Sequence, residues 1–146
     1  MNHQESVLVR RPPSVVFDYM DNLDREVEWQ PDLVRWSKEP LGPTAVGTKK
    51  EYVSEFLGRE VSNTYVAKVW EPNRRVVYET TRDSSIRVTT EITFELEGDA
   101  TRVTMTVDGK PTGFLKFIPK ALLESTSRTA LQQSLDRLKA RLESSS

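Results

Sequence analysis

From Thr48 onward hydrophobic residues recur at every second position, and turn residues interrupt the pattern at regular intervals. That combination admits very little besides an antiparallel meander, because period two is the strand period and each turn must reverse the chain. The turns fall at Leu57-Gly58, Pro72-Asn73, Asp83-Ser84-Ser85 and Gly98-Asp99. A hairpin's loop length decides which residues face one another, so the four turns can be tested for mutual consistency. A two-residue loop at Leu57-Gly58 pairs Tyr52 with Asn63 and Ser54 with Val61. A loop from Glu71 to Arg74 pairs Val69 with Val76, Ala67 with Tyr78 and Tyr65 with Thr80. A loop from Asp83 to Ser85 pairs Thr80 with Val88 and Tyr78 with Thr90, and the Gly98-Asp99 loop pairs Phe94 with Val103 and Ile92 with Met105.

These registers agree on one inner face, made of Tyr52, Val61, Tyr65, Ala67, Val69, Val76, Tyr78, Val88, Ile92, Phe94, Val103, Met105 and Val107. Lys49, Glu51, Glu55, Lys68, Glu79, Arg87, Glu91, Glu95 and Arg102 collect on the other, together with the apolar Val53, Val66, Trp70 and Val77. Before the meander, a first strand spans Glu5 to Arg10 with Val7 and Val9 on one face. Pro12-Pro13-Ser14 then opens a helix over Val15 to Met20, and a short second helical segment covers Asp21 to Pro31. Pro40, Gly42-Pro43 and Gly47 mark loops. At the other end Leu131, Leu135, Leu138 and Leu142 step by four, three and four, which is one face of an amphipathic helix. Its natural partner is the concave face of the sheet. The chain therefore reads as a single α+β domain over residues 1–146, with the serines at 144–146 frayed.

Composition excludes several function classes. The 21 Lys and Arg balance 22 Asp and Glu and are interleaved with them, so no basic stripe for nucleic acid forms. The absence of cysteine removes disulfides, thiolate metal sites and cysteine nucleophiles. No apolar run is long enough to span a membrane or to form a secretory signal, and the expected location is the cytoplasm. The pattern specifies no oligomeric state and calls for no cofactor.

Catalytic constellations are sparse. The sole histidine, His3, has no evident nucleophile beside it and is expected to be exposed. Asp18, Asp21 and Asp24 recur every third residue without a calcium-loop pattern and read as a solvated helix edge. Gly109 to Gly113 lacks phosphate-loop spacing and reads as the hinge between the last strand and the helix. Trp29, Trp36 and Trp70 are accounted for by packing, with Trp29 placed where a helical segment could lid the cup.

The inner face is nevertheless more polar than a packed core tolerates, since each buried hydroxyl or amide needs a partner. Tyr52, Ser54, Asn63, Tyr65, Tyr78, Thr80 and Thr90 all fall on it. The final helix, extended back toward Pro119, turns Glu124, Ser127, Ala130 and Ser134 to the same side, with Leu123 at the edge. Small groups facing tyrosines leave volume unfilled, so a cavity is expected there. The candidate ligand-binding residues are Trp29, Tyr52, Asn63, Tyr65, Tyr78, Thr80, Val88, Thr90, Met105, Leu123, Ser127 and Leu131, with no catalytic residue and no metal site.

The order of elements resembles the helix-grip fold of the START and birch-pollen-allergen superfamily, and more narrowly the bacterial polyketide cyclase/dehydrase and lipid transport (SRPBCC) proteins. The residues that carry the resemblance are Val7-Leu8-Val9-Arg10-Arg11-Pro12-Pro13 with Val16-Phe17, then Trp29-Gln30-Pro31, Trp70 to Val76, Thr101 to Thr104, and Leu135 to Lys139. The resemblance implies a curved antiparallel sheet around a long C-terminal helix, with a hydrophobic cavity between them entered near the helix's beginning. It supplies no catalytic residue, because members differ in their pockets. Binding or carriage of a small lipophile (a lipid, polyketide, quinone or aromatic metabolite) is the leading expectation. The alternatives are an aromatase/cyclase-like enzyme using Tyr52, Tyr65 or Tyr78 in proton transfer, and a protein-interaction module using the outer face. No cationic group is expected on the inner face to lower a tyrosine's pKa from its usual ~10.

Overall fold

A computed structural model describes residues 2–144. A seven-stranded antiparallel sheet in the order β1-β7-β6-β5-β4-β3-β2 is built from β1 (Asn2–Val9), β2 (Leu33–Glu39), β3 (Lys49–Phe56), β4 (Arg59–Glu71), β5 (Arg75–Thr80), β6 (Ile86–Glu97) and β7 (Ala100–Pro111). Two short helices, α1 (Pro13–Asp21) and α2 (Glu26–Trp29), follow β1, and the 25-residue α3 (Lys120–Ser144) ends the chain. This is the helix-grip arrangement, with α3 laid across the sheet.

Local chemistry sets the boundaries. Pro13 takes the first position of α1, where its missing N–H costs nothing. Leu57 and Gly58 both adopt positive φ, 53° and 78°, the backbone of a two-residue turn matched to strand twist. That turn sets Tyr52 opposite Asn63 and Ser54 opposite Val61 as the loop length requires. Phe94 faces Val103, Ile92 faces Met105, and Tyr78 faces Thr90. Thr80 meets Val88 through its hydroxyl, which accepts from the Val88 N–H at 2.9 Å.

One register differs from expectation. Tyr65 does face Thr80 and Ala67 faces Tyr78, but a bulge between Ala67 and Val69 then pairs Val69 with Val77 and Trp70 with Val76. Lys68 is the extra residue, so the remainder of β4 is turned over. Trp70, expected outside, therefore points inward against the Phe17 ring at 5.1 Å, and Val69 faces out. Val53 and Val77, also on the outer face, are themselves buried.

Leu33–Glu39 is an edge strand in a stretch to which the pattern assigned no element; its mostly exposed residues lack a period-two apolar signal. Two further expectations are revised. The Gly109–Gly113 hinge is shorter than expected, because β7 continues to Pro111. A Cβ on Gly109 would lie 2.4 Å from Val88 Cγ2, so that position admits no side chain without displacing Val88. Ser144 closes α3 with its hydroxyl donating to the Arg141 carbonyl at 3.1 Å, whereas Ser145 and Ser146 lie outside the described residues.

The core gathers Val9, Val16, Phe17, Met20, Trp29, Phe94 and Val103 around Leu131, Leu135, Leu138 and Leu142 of α3. Lys139 Nζ donates to the Leu8 carbonyl at 2.6 Å, and Glu143 accepts from the Arg10 N–H at 2.9 Å, pinning the C-terminal half of α3 to β1.

Candidate ligand cavity

The leucine face of α3 gives way toward its N-terminus to Ser127, Ala130 and Ser134, and the sheet there does not close against them. A cavity of about 300 Å³ remains, roofed by these residues and walled by the inner faces of β3 to β7, with α2 at one side. That volume lies at the lower end of the roughly 300–1,000 Å³ usual for small-molecule sites. Exposed Pro31, Asp32 and Glu55 mark its opening, between the α2–β2 connection and the β3–β4 hairpin.

All the residues singled out from the sequence line this cavity except Thr80 and Leu123. The Thr80 hydroxyl is occupied by the Val88 backbone, and Leu123 is fully packed at 2% exposure. Val88, Ile92, Met105 and Val107 make an apolar wall on β6 and β7, and the aromatic groups concentrate toward β3 to β5.

The polar groups there form a cluster that periodicity did not single out. Lys50, 2% exposed, sends its Nζ to Tyr78 OH and to Asp21 Oδ1, both at 3.0 Å, with the Tyr78 ring centre 5.1 Å away. Asp21 also accepts from the Thr44 hydroxyl at 2.9 Å, so it belongs to the site and not to a solvated helix edge, while Asp18 and Asp24 are exposed as expected. Glu26, also 2% exposed, accepts from Tyr52 OH at 2.8 Å and from the Gln30 amide. Tyr52 and Tyr65 lie with ring centres 5.5 Å apart.

Burial governs the protonation states. It pushes the Glu26 carboxyl up to about 7, against the opposing pull of Tyr52, Lys50 and Gln30. Burial alone would lower the Lys50 ammonium, but Tyr78 and Asp21 more than offset it and hold its pKa above the ordinary value. Tyr78 is raised by burial despite Lys50, and Tyr65 is pushed up to about 12, so both phenols keep their protons near neutrality. Because Tyr78 OH accepts from Lys50, its own proton is available to a group inside the cavity. A cation does therefore face the tyrosines, contrary to expectation, yet it does not make Tyr78 a base.

His3 is the largest departure. It is 4% exposed and lines the cavity from β1, with neither ring nitrogen hydrogen-bonded to the protein; the Trp29 Nε1–H is also buried and unpartnered. The signal for these residues was strand parity: His3 shares a face with Val7 and Val9, and Lys50 with Tyr52 and Ser54. Glu26 lies three residues before Trp29 on the buried side of α2. Their charge or polarity argued the other way.

Residues 2–143 match the family described as polyketide cyclase / dehydrase and lipid transport. The chain belongs to that family. No curated protein matches it in sequence. Among solved structures, TTHA0849 from Thermus thermophilus is similar over 100% of this chain and 99% of its own, at 17% identity and TM-score 0.84. A START superfamily protein from Mycobacterium smegmatis follows at 13% identity, TM-score 0.80 and 99% coverage of both chains. The Zhui aromatase/cyclase of a Streptomyces species is similar at 13% identity and TM-score 0.78, covering 98% of this chain and 93% of that one. At these identities the likeness establishes the fold. No described helix is long and apolar enough to cross a membrane, and among the described residues no group of His, Asp and Glu is placed to hold a metal ion.

Proposed function

We propose that this protein binds and carries a small lipophilic molecule in the cavity beneath α3, with a polar end of the ligand set against Tyr78, Lys50, Tyr52 and Glu26. The observation that carries this reading is an apolar-walled cavity of about 300 Å³ that contains buried polar atoms with no protein partner. Such atoms are destabilising when left unpaired, so they favour an occupant that pairs with them. The family's members include lipid-transport proteins, which is consistent with a carrier. Titration with the neutral fluorophore N-phenyl-naphthylamine tests the reading: saturable uptake is expected in the folded protein, lost on filling the roof at Ser127. Uptake unaffected by that filling would place the dye elsewhere and contradict the proposal.

One observation favours a second reading, proton-transfer chemistry of the aromatase/cyclase kind. Glu26 has a pKa near the working pH and Tyr78 offers a phenolic proton backed by Lys50, the pairing of a base with an oxygen-stabilising donor that enolisation needs. Exchange of acidic C–H protons of a bound ketone into heavy water, abolished by Glu26→Gln, would support it.

A further inference from the structure

His3 lies on β1, the edge strand opposite β2 in the sheet order, and pairs with Val107. Its backbone belongs to the β1–β7 ladder, so the strand needs nothing from its side chain. A valine there would continue the Val7 and Val9 pattern and bury no unpaired nitrogen. Instead an imidazole faces the cavity with both nitrogens unpartnered. The charged groups around it are Arg128 and Glu124 from α3 and Glu5 from its own strand. Burial, then Arg128, holds the ring below its ordinary pKa of 6.5, which favours the neutral form. Neutral imidazole offers one N–H donor and one lone-pair acceptor.

The polar cluster described above sits on β3, β5 and the first two helices. Between β1 and β5 stand β7 and β6, whose inward residues Val107, Met105, Ile92 and Val88 are apolar, with the Thr90 hydroxyl among them. The sheet wall of the cavity thus carries titratable groups at two places, with the Thr90 hydroxyl the one polar side chain among the apolar residues of β6 and β7 between them. We infer that His3 is a second polar anchor, and that the ligand class is a lipophile carrying a hydrogen-bonding oxygen at each end of an apolar body. A quinol or a bis-phenol has this form, and a simple hydrocarbon chain with one headgroup does not. The inference rests on the reading of the cavity as a ligand site.

Two matched probes test it on the untagged full chain: para-hydroxystilbene, with one hydroxyl, and para,para′-dihydroxystilbene, with one at each end. The wild type should bind the bis-phenol roughly threefold to tenfold more tightly, the range of one neutral hydrogen bond. His3→Phe should erase that preference while still binding the mono-phenol, and His3→Gln, which keeps a donor and an acceptor, should retain most of it. Because the chain has a single histidine, its ring nitrogen resonances in the wild type give a reading independent of any variant. The bis-phenol should shift them and the mono-phenol should not. Binding of both probes without preference, an equal preference in wild type and His3→Phe, or unmoved ring resonances overturns the inference and leaves the carrier reading intact. Failure of the wild type to bind either probe overturns both.

Discussion

Replacing Glu26 with glutamine should stabilise the protein above neutral pH and flatten the decline of its stability with rising pH. The Glu26 carboxyl is 2% exposed, and burial lifts its pKa from 4.5 to about 7. The folded value lies above the unfolded one, so between those pH values the folded state holds a proton that the unfolded chain has released. The stabilisation tied to that proton is complete below about pH 4.5 and is lost as pH rises to about 7. A difference of two to three pKa units corresponds to about 3 kcal/mol, since each unit is about 1.4 kcal/mol. His3 acts in the opposite sense, because its lowered pKa makes protonation favour the unfolded chain as pH falls through 6.5. Both proteins retain His3, so their difference isolates Glu26. Urea denaturation of wild type and Glu26→Gln at pH values from about 4 to about 8 should show the variant gaining on the wild type by about 3 kcal/mol across the series. A difference that stays constant with pH would mean that Glu26 does not titrate in this range, and the account of its burial would be wrong.

Other substitutions separate anchor, roof and cluster. Leu135→Ala or Leu138→Ala removes a side chain 2% or 0% exposed and should cost about 2–5 kcal/mol in denaturant melts, while Ser127→Ala should cost less than about 1 kcal/mol. Ser127→Leu should leave the melting temperature level or slightly raised and abolish lipophile uptake; in a close-packed core it would instead cost about 1–3 kcal/mol. Lys50→Met leaves Asp21 without its buried cation and should cost about 1–3 kcal/mol by the same melts, below the full value for a buried pair because Asp21 is 26% exposed.

The hairpin registers were legible because a tight turn leaves almost no freedom in what faces what, as Tyr52 opposite Asn63 illustrates. The bulge at Lys68 was not, since the Val69-Trp70 step is apolar on both sides and either residue could face the core. β2 escaped notice for a related reason: an edge strand with Val34, Arg35 and Ser37 exposed has no buried face to impose alternation. At the site, the tyrosines and small roof residues followed from pattern. Lys50, Glu26 and His3 did not, because burying them depends on partners or empty space contributed by distant segments. Lys50 meets Asp21 across 29 positions of sequence, and no local window contains that pair.

Native mass spectrometry of the freshly purified protein decides whether the cavity beneath α3 holds a lipophile. A fraction of the protein should carry one additional small mass, released by organic solvent and absent from Ser127→Leu. A wild type that carries no such mass, and acquires none when offered a panel of lipids, quinones and phenolic aromatics, would contradict the carrier reading.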